Sequence, residues 1–368
     1  MIITDISSCV LPDGDALARD LPGSVEELGE DFVAKYDSKT LFYDVFYYRD
    51  GPLKKVIAIG PTLRKTLRVF LKSAEITIDG LPVQMIETSP NKRFCQLEFE
   101  VPTTTPKVLS IRHEQFNADI PINLPSLRDF AGTRAITTLS KNNRLNWIED
   151  WARHHIDAHG ANSLVFFDNG SDAYDLTELR ECIAGIKGLK ASVVLRPEFT
   201  YGPSGNHRQA TNARYLQFAM FAISKMRFLA DADAVLNVDV DEMVYSKSGA
   251  SIFDAVKEDT KGYITLPGTW RHATRMGDDD APLSHADHTH EHLGQGDQIW
   301  PKWCVDMKGA ITSEPWRTHG FNGITENFHD DFGFFHCRQI TTNWHFSRPH
   351  LNEDELRLDP FAQAVLAD

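Results

Sequence analysis

From Thr40 to Leu124 the apolar residues fall in short alternating or β-branched runs: Leu41–Tyr48, Lys55–Ile59, Glu75–Ile78, Val83–Glu87, Cys95–Val101 and Val108–His113. Turn residues separate them at Asp50-Gly51, Asp79-Gly80 and Pro102, a spacing that predicts a small antiparallel sheet or sandwich. The acidic, Gly/Pro-punctuated first forty residues carry one expected helix over Val25–Tyr36. After Ala131 the period changes. Strands are expected at Arg134–Leu139, Ser163–Phe167, Ala191–Leu195, Ala234–Val238 and Tyr263–Leu266, with helices over Arg144–His159, Asp175–Ile186 and Gln209–Leu229 between them. Near-continuous apolar strands alternating with helices predict a parallel sheet covered on both faces. Two domains are expected: a β-rich accessory domain over 1–130 and an α/β domain over 131–368. In an open α/β sheet, ligands sit beyond the carboxyl ends of the strands.

Those ends are polar: Ser140-Lys141-Asn142-Asn143, Asp168-Asn169-Gly170-Ser171-Asp172, Arg196-Pro197 and Asp239-Val240-Asp241-Glu242. Read as extended chain, Asp239 and Asp241 share a face while Val240 points to the core. Two like charges so close call for a hard cation with oxygen ligands, Mn²⁺ or Mg²⁺, shared with a phosphate. An acidic turn that merely ends a strand is the bland reading. Asp168 could accept from a base imide or a ribose hydroxyl, with Asn169, Gly170 and Ser171 making the turn; a plain helix-capping turn reads as well.

Bulk properties narrow the classes. The 368 residues contain 38 Lys plus Arg against 52 acids, a net charge of −14, which argues against nucleic acid as a partner. Five scattered cysteines, Cys9, Cys95, Cys182, Cys304 and Cys337, without a CxxC pair, read as reduced thiols in a cytoplasmic protein. No apolar run is long enough for a transmembrane segment, and peripheral contact with a membrane stays open.

The Asp-Asn-Gly-Ser turn at 168–171 followed by Asn237-Val238-Asp239-Val240-Asp241-Glu242 resembles the nucleotide-diphospho-sugar domain of GT-A glycosyltransferases, a Rossmann-like fold. The pattern is closest to the family 2 and family 92-like enzymes. Asn146–His155, Gln209–Arg214, Thr269-Trp270-Arg271, Pro301-Lys302-Trp303, His319 and Phe335-His336-Cys337-Arg338 extend the similarity over roughly 131–350. The resemblance implies transfer of a hexose from a nucleotide-sugar donor, UDP-type before GDP-type, to a hydroxyl of a glycan or glycolipid acceptor in surface-polysaccharide assembly. Carried over by position, Ser140, Asn142, Asp168, Asn169, Arg196, Arg214, Asp239 and Lys302 are the donor-binding candidates, with Arg208 a further positive charge. Asp239, Asp241 and His336 are the metal candidates, with His319 competing with His336. An inverting enzyme also needs an acceptor base, for which Asp297 and Glu314 are the candidates; the stereochemistry is open.

The 277–296 stretch departs from the family. It holds Asp278-Asp279-Asp280 and then His285, His288, His290 and His292, the last three at alternate positions that could bind zinc. Two other readings remain. Asp-Xaa-Asp after a strand also occurs in haloacid-dehalogenase-type phosphatases, and the seven Trp and 22 Phe would supply the stacking surface of a carbohydrate-binding protein with an inactive transferase domain.

Overall fold

The computed structural model describes residues 1–14, 17–50, 53–89, 92–203, 213–275, 282–294, 298–342 and 355–367. Asp297, Arg208 and Asp278–Asp280 lie outside them. Contacts divide the chain into two compact units, one of Met1–Ile3, Arg128–Val194 and Asp231–Asp368, the other of Thr4–Leu127 and Leu195–Ala230. No helix among the described residues is long and apolar enough to cross a membrane.

The first unit is built on an eight-stranded sheet. Its strands are β1 (Arg134–Ser140), β2 (Ser163–Asp168), β3 (Ala191–Leu195), β4 (Ala234–Asn237), β5 (Glu242–Ser246), β6 (Tyr263–Arg271), β7 (Gln298–Asp306) and β8 (Phe332–Cys337), in the order β3-β2-β1-β4-β7-β6-β8-β5. β1 pairs in parallel with β2 and with β4, so the strand order reverses at β1 and β4 and opens a crevice outside their carboxyl ends. The sheet is mixed rather than wholly parallel as the apolar runs predict: β7 runs antiparallel to β4 and β6, and β5 antiparallel to β8. All six residues of β2 are buried, as a strand covered on both faces requires.

Helix α1 (Leu145–His159) turns Trp147, Ile148, Trp151, Ala152, His155 and His159 inward and stops at Gly160, whose φ of 73° places it in the left-handed region. Helix α2 (Leu176–Gly185) opens on an Asp175/Glu178 capping box. Between β6 and β8, Gly268 lies opposite Phe334, and a Cβ on it would meet the Phe334 ring at 2.2 Å. Gly268→Ala should therefore cost about 2 kcal/mol, read as a lower urea midpoint, because the fully buried ring has nowhere to move.

In the second unit, two antiparallel four-stranded sheets run in the orders Asp44–Asp50, Leu53–Gly60, Cys95–Glu100, Met85–Glu87 and Phe116–Pro121, Val108–His113, Glu75–Ile78, Leu81–Pro82. The Asp79-Gly80 turn has φ of 50° and 79°, as a tight hairpin of that sequence needs. The helix expected over Val25–Tyr36 is broken into Val25–Leu28 and Glu30–Ala34 by Gly29 at φ 82°. Helix Tyr215–Ile223 continues as a π-helical turn, Ser224–Leu229, whose buried Arg227 pairs with the buried Asp44 at 2.7 Å.

Candidate metal centre

The Asp239–Asp241 segment is not extended. The chain leaves β4 and turns at Val240 and Asp241, the Glu242 amide donating to the Asp239 carbonyl at 3.0 Å and the Asp239 amide to the Glu242 carboxylate at 2.8 Å. The alternation expected of the two aspartates gives way to a turn clamped by the glutamate three residues on. The two carboxylates consequently meet different partners.

Asp239 Oδ2 lies 2.5 Å from Lys302 Nζ, which also reaches Glu242 Oε2 at 3.0 Å. Lys302 is 1 % exposed; burial pulls its pKa down, but Asp239 and Glu242 outweigh that pull, raise it and hold the side chain as an ammonium. It reaches this place because β7 runs beside β4, with Trp303 opposite Asn237. Asp241 Oδ2 lies 2.8 Å from His336 Nε2, and His336 Nδ1 lies 3.8 Å from Glu242 Oε1. The strands fix this too, since Glu242 on β5 stands opposite His336 on β8.

Ligand atoms of Asp241, Glu242 and His336 lie within 4.8 Å of one another, a set that could hold a metal ion. Two carboxylate oxygens and one imidazole nitrogen suit Mn²⁺ or Mg²⁺ with water or phosphate completing the shell. The imidazole plane is set by Trp270, stacked on it at 4.0 Å and 28°, and the Arg338 guanidinium lies 5.4 Å from the centre of the same indole. Burial is the first cause that pushes the Glu242 carboxyl above its usual range, to about 8; Lys302 opposes it and Asp239 and Asp241 add to it.

The other sequence-derived residues are distributed around this centre and away from it. Ser140 ends β1 opposite Asp168 at the end of β2. Asp168 is fully buried, accepting from the hydroxyl and the amide of Ser171. The Asn169 amide donates to the Ser140 carbonyl at 2.8 Å, and the Asn143 amide group to Ser140 Oγ at 2.8 Å. Asn142, at φ 58°, takes the Asp172 amide on its side-chain oxygen at 2.8 Å. These hydrogen bonds knit the carboxyl ends of β1 and β2 into a prebuilt wall next to β4. Glu314 sits in the turn before Trp316, its amide donating to Ile311 at 3.0 Å, outside the carboxylate–imidazole set. His319 is likewise outside the set, its Nδ1 donating to the Pro301 carbonyl at 3.0 Å. Arg196 and Arg214 belong to the second unit, where Arg196 pairs with Glu198 at 2.8 Å and Arg214 lies over the Tyr201 ring.

Glu242 and Trp270 carry roles that spacing alone does not assign, although both stand in stretches that resemble the transferases. The histidine run takes no zinc arrangement among the described residues. His288 donates from Nδ1 to Ser284 and accepts at Nε2 from the Gln339 amide, while His292 faces Glu355.

Beneath the turn lies a layer of neutral histidines. His155 donates to the Trp151 carbonyl and accepts from the Val244 amide, and His159 donates to the Val244 carbonyl and accepts from the Ile252 amide. Burial lowers His155 well below 6.5, His159 to about 4 and His288 to about 3. A depressed value means that the unfolded chain binds the extra protons. Stability is therefore complete above pH 6.5 and falls as pH drops below it, by about 1.4 kcal/mol per unit for each such group. Glu242 works in the opposite sense below pH 8, as one group against three. Urea midpoints should fall between pH 7 and 5; a flat or rising series would contradict the neutral-core assignment.

No family model matches the sequence, and no curated protein matches it in sequence. Among solved structures it is similar to the mannosyltransferase Ktr4p from S. cerevisiae, with a TM-score of 0.25 and 13 % identity over 38 % of this chain and 39 % of that one. It is also similar to the galactosyltransferase LgtC in complex with donor and acceptor sugar analogs, with 0.26 and 16 % over 48 % and 58 %. S. aureus TarS in complex with UDP gives 0.30 and 12 % over 55 % and 60 %. The chain thus spans between 39 % and 60 % of these structures. Likeness of that extent assigns neither fold nor activity, and the geometry of the centre carries the functional reading.

Proposed function

We propose that the first unit is a GT-A-like, metal-dependent glycosyltransferase that moves a hexose from a nucleotide-sugar donor, UDP-type in preference, to a hydroxyl of a glycan or glycolipid. The observation that carries it is the gathering of Asp241, Glu242 and His336 within 4.8 Å beside the crevice where the order of β1 and β4 reverses. A divalent cation held there would offset the negative charge that builds on a departing nucleoside diphosphate.

The chain's own residues supply the rest. Lys302 pairs with Asp239 and with Glu242 Oε2 and fixes both against the turn, so the Asp241 carboxylate and Glu242 Oε1, the oxygens that face His336, are the ones offered to the cation. Trp270 holds the His336 ring, and the cross-linked ends of β1 and β2 offer a rigid wall for the nucleoside, which lowers the entropy lost on binding. Titrating UDP calorimetrically with and without Mn²⁺ tests the reading. Binding that requires the metal supports it; no binding under either condition, or phosphate release from p-nitrophenyl phosphate, would replace it with the binding-protein or phosphatase alternative.

A further inference from the structure

We propose that Trp300, braced by His319, is a docking platform for a neutral pyranose ring of the acceptor, an inference that rests on the transferase reading. Between Leu266 and Gly268 β6 advances two residues, while their partners on β7, Lys302 and Ile299, are three apart. The extra residue makes a bulge at Trp300-Pro301, which also accommodates a proline that could not donate within a regular ladder. Bulges re-aim side chains, and here the indole is turned out of the sheet to 75 % exposure.

The ring is nevertheless held in place. His319, in the turn between Trp316–Arg317 and Gly320–Phe321, stacks on it at 5.8 Å and 30°, and its own orientation is fixed by the Nδ1 hydrogen bond to Pro301. Trp303 on β7 anchors that hairpin, its ring packed against Trp316 and Phe321 and its indole nitrogen donating to the Arg317 carbonyl at 2.7 Å. An exposed tryptophan with a fixed plane presents a large apolar face at little entropic cost.

Its position selects the occupant. Trp300 precedes Lys302 by two residues, roughly 7 Å along the strand, and β7 here runs past the carboxyl end of β4, towards the edge that bears Asp239. A ring resting on the indole is therefore close to where a transferred sugar would be received. The C–H face of a pyranose is apolar and flat enough to lie on an aromatic ring, while its hydroxyls remain solvated at the edge. The carboxylates of the centre and the net charge of −14 disfavour an acidic sugar.

The test uses a panel of methyl hexopyranosides, read by saturation-transfer NMR on the full chain, Trp300→Ala and Trp300→Phe, with UDP–Mn²⁺ calorimetry on the same samples. Expected are pyranoside binding by the native chain, affinity about tenfold weaker in Trp300→Ala and largely kept in Trp300→Phe, with unchanged UDP binding. Equal binding by native and Trp300→Ala chains, or no binding of any pyranoside to the native chain, would overturn the platform. So would a dimer in sedimentation that Trp300→Ala dissociates, since a second copy would then cover the indole. Absence of UDP binding with pyranoside binding intact would instead remove the transferase reading, which keeps the two failures apart.

Discussion

Asp241→Asn should abolish metal-dependent UDP binding and lower transfer by about a thousandfold or more, while leaving the unfolding midpoint close to that of the native chain. Asp241 is the acid whose carboxylate is not taken by Lys302; its Oδ2 meets His336 at 2.8 Å instead. An amide keeps a hydrogen-bonding partner for the imidazole but offers no anionic oxygen to a cation. Asp239→Asn removes a carboxylate already neutralised by an internal ammonium, so its effect on metal affinity should be much the smaller. The pair is checked by Mn²⁺ titration of both variants alongside circular dichroism. Equal losses from the two would mean that the acids act as a symmetric pair, and the division of labour between them would be wrong.

Lys302→Met should be the most destabilising single change at the centre, at about 3 kcal/mol. The side chain is buried to 1 % exposure, and methionine fills a similar volume without charge. What is lost is the ammonium 2.5 Å from Asp239 and 3.0 Å from the Glu242 carboxylate, leaving Glu242 the Asp239 amide at 2.8 Å and, as its nearest ionisable base, the His336 ring at 3.8 Å. An acid that is 3 % exposed on its side chain must then either stay charged with little compensation or take up a proton. Glu242→Gln in the Lys302→Met background should recover part of the loss, and the coupling in the four-member cycle should exceed about 1 kcal/mol. A Lys302→Met chain within about 0.5 kcal/mol of native in urea would show that the ammonium is not a structural counter-charge.

Much of the parallel half of the sheet is legible in the sequence, because β1, β2 and β4 are short apolar runs bounded by turn residues, and α1 repeats its apolar positions at helical spacing. Of the antiparallel half only β6 is, expected over Tyr263–Leu266 and observed over Tyr263–Arg271. β7 reads Gln-Ile-Trp-Pro-Lys-Trp-Cys-Val-Asp, where Pro301 and Lys302 break any strand pattern. Pro301 is tolerated by the bulge and Lys302 by the two carboxylates of the Asp239–Glu242 turn, some sixty residues earlier in the chain, neither of which a local pattern contains. β8, Phe-Gly-Phe-Phe-His-Cys, stands out in the sequence for its histidine alone. At the centre, the residue types are visible and their grouping is not. Asp-Val-Asp-Glu at the end of an apolar strand suits an extended pair of aspartates as well as a turn. The choice is made by the Glu242 carboxylate reaching back to the Asp239 amide, which places Glu242 opposite His336 and gives it a role that spacing does not suggest. The Asp168 turn shows the reverse. Its capping geometry is foreseeable, whereas its complete burial depends on the neighbouring end of β1.

The most direct test of the centre is diffraction at the manganese edge from crystals soaked in MnCl₂ and UDP. An anomalous peak among Asp241, Glu242 and His336, with diphosphate density beside it, is the expected result. A peak at the His288–His292 segment, or nucleotide bound with no metal between those three side chains, would contradict it.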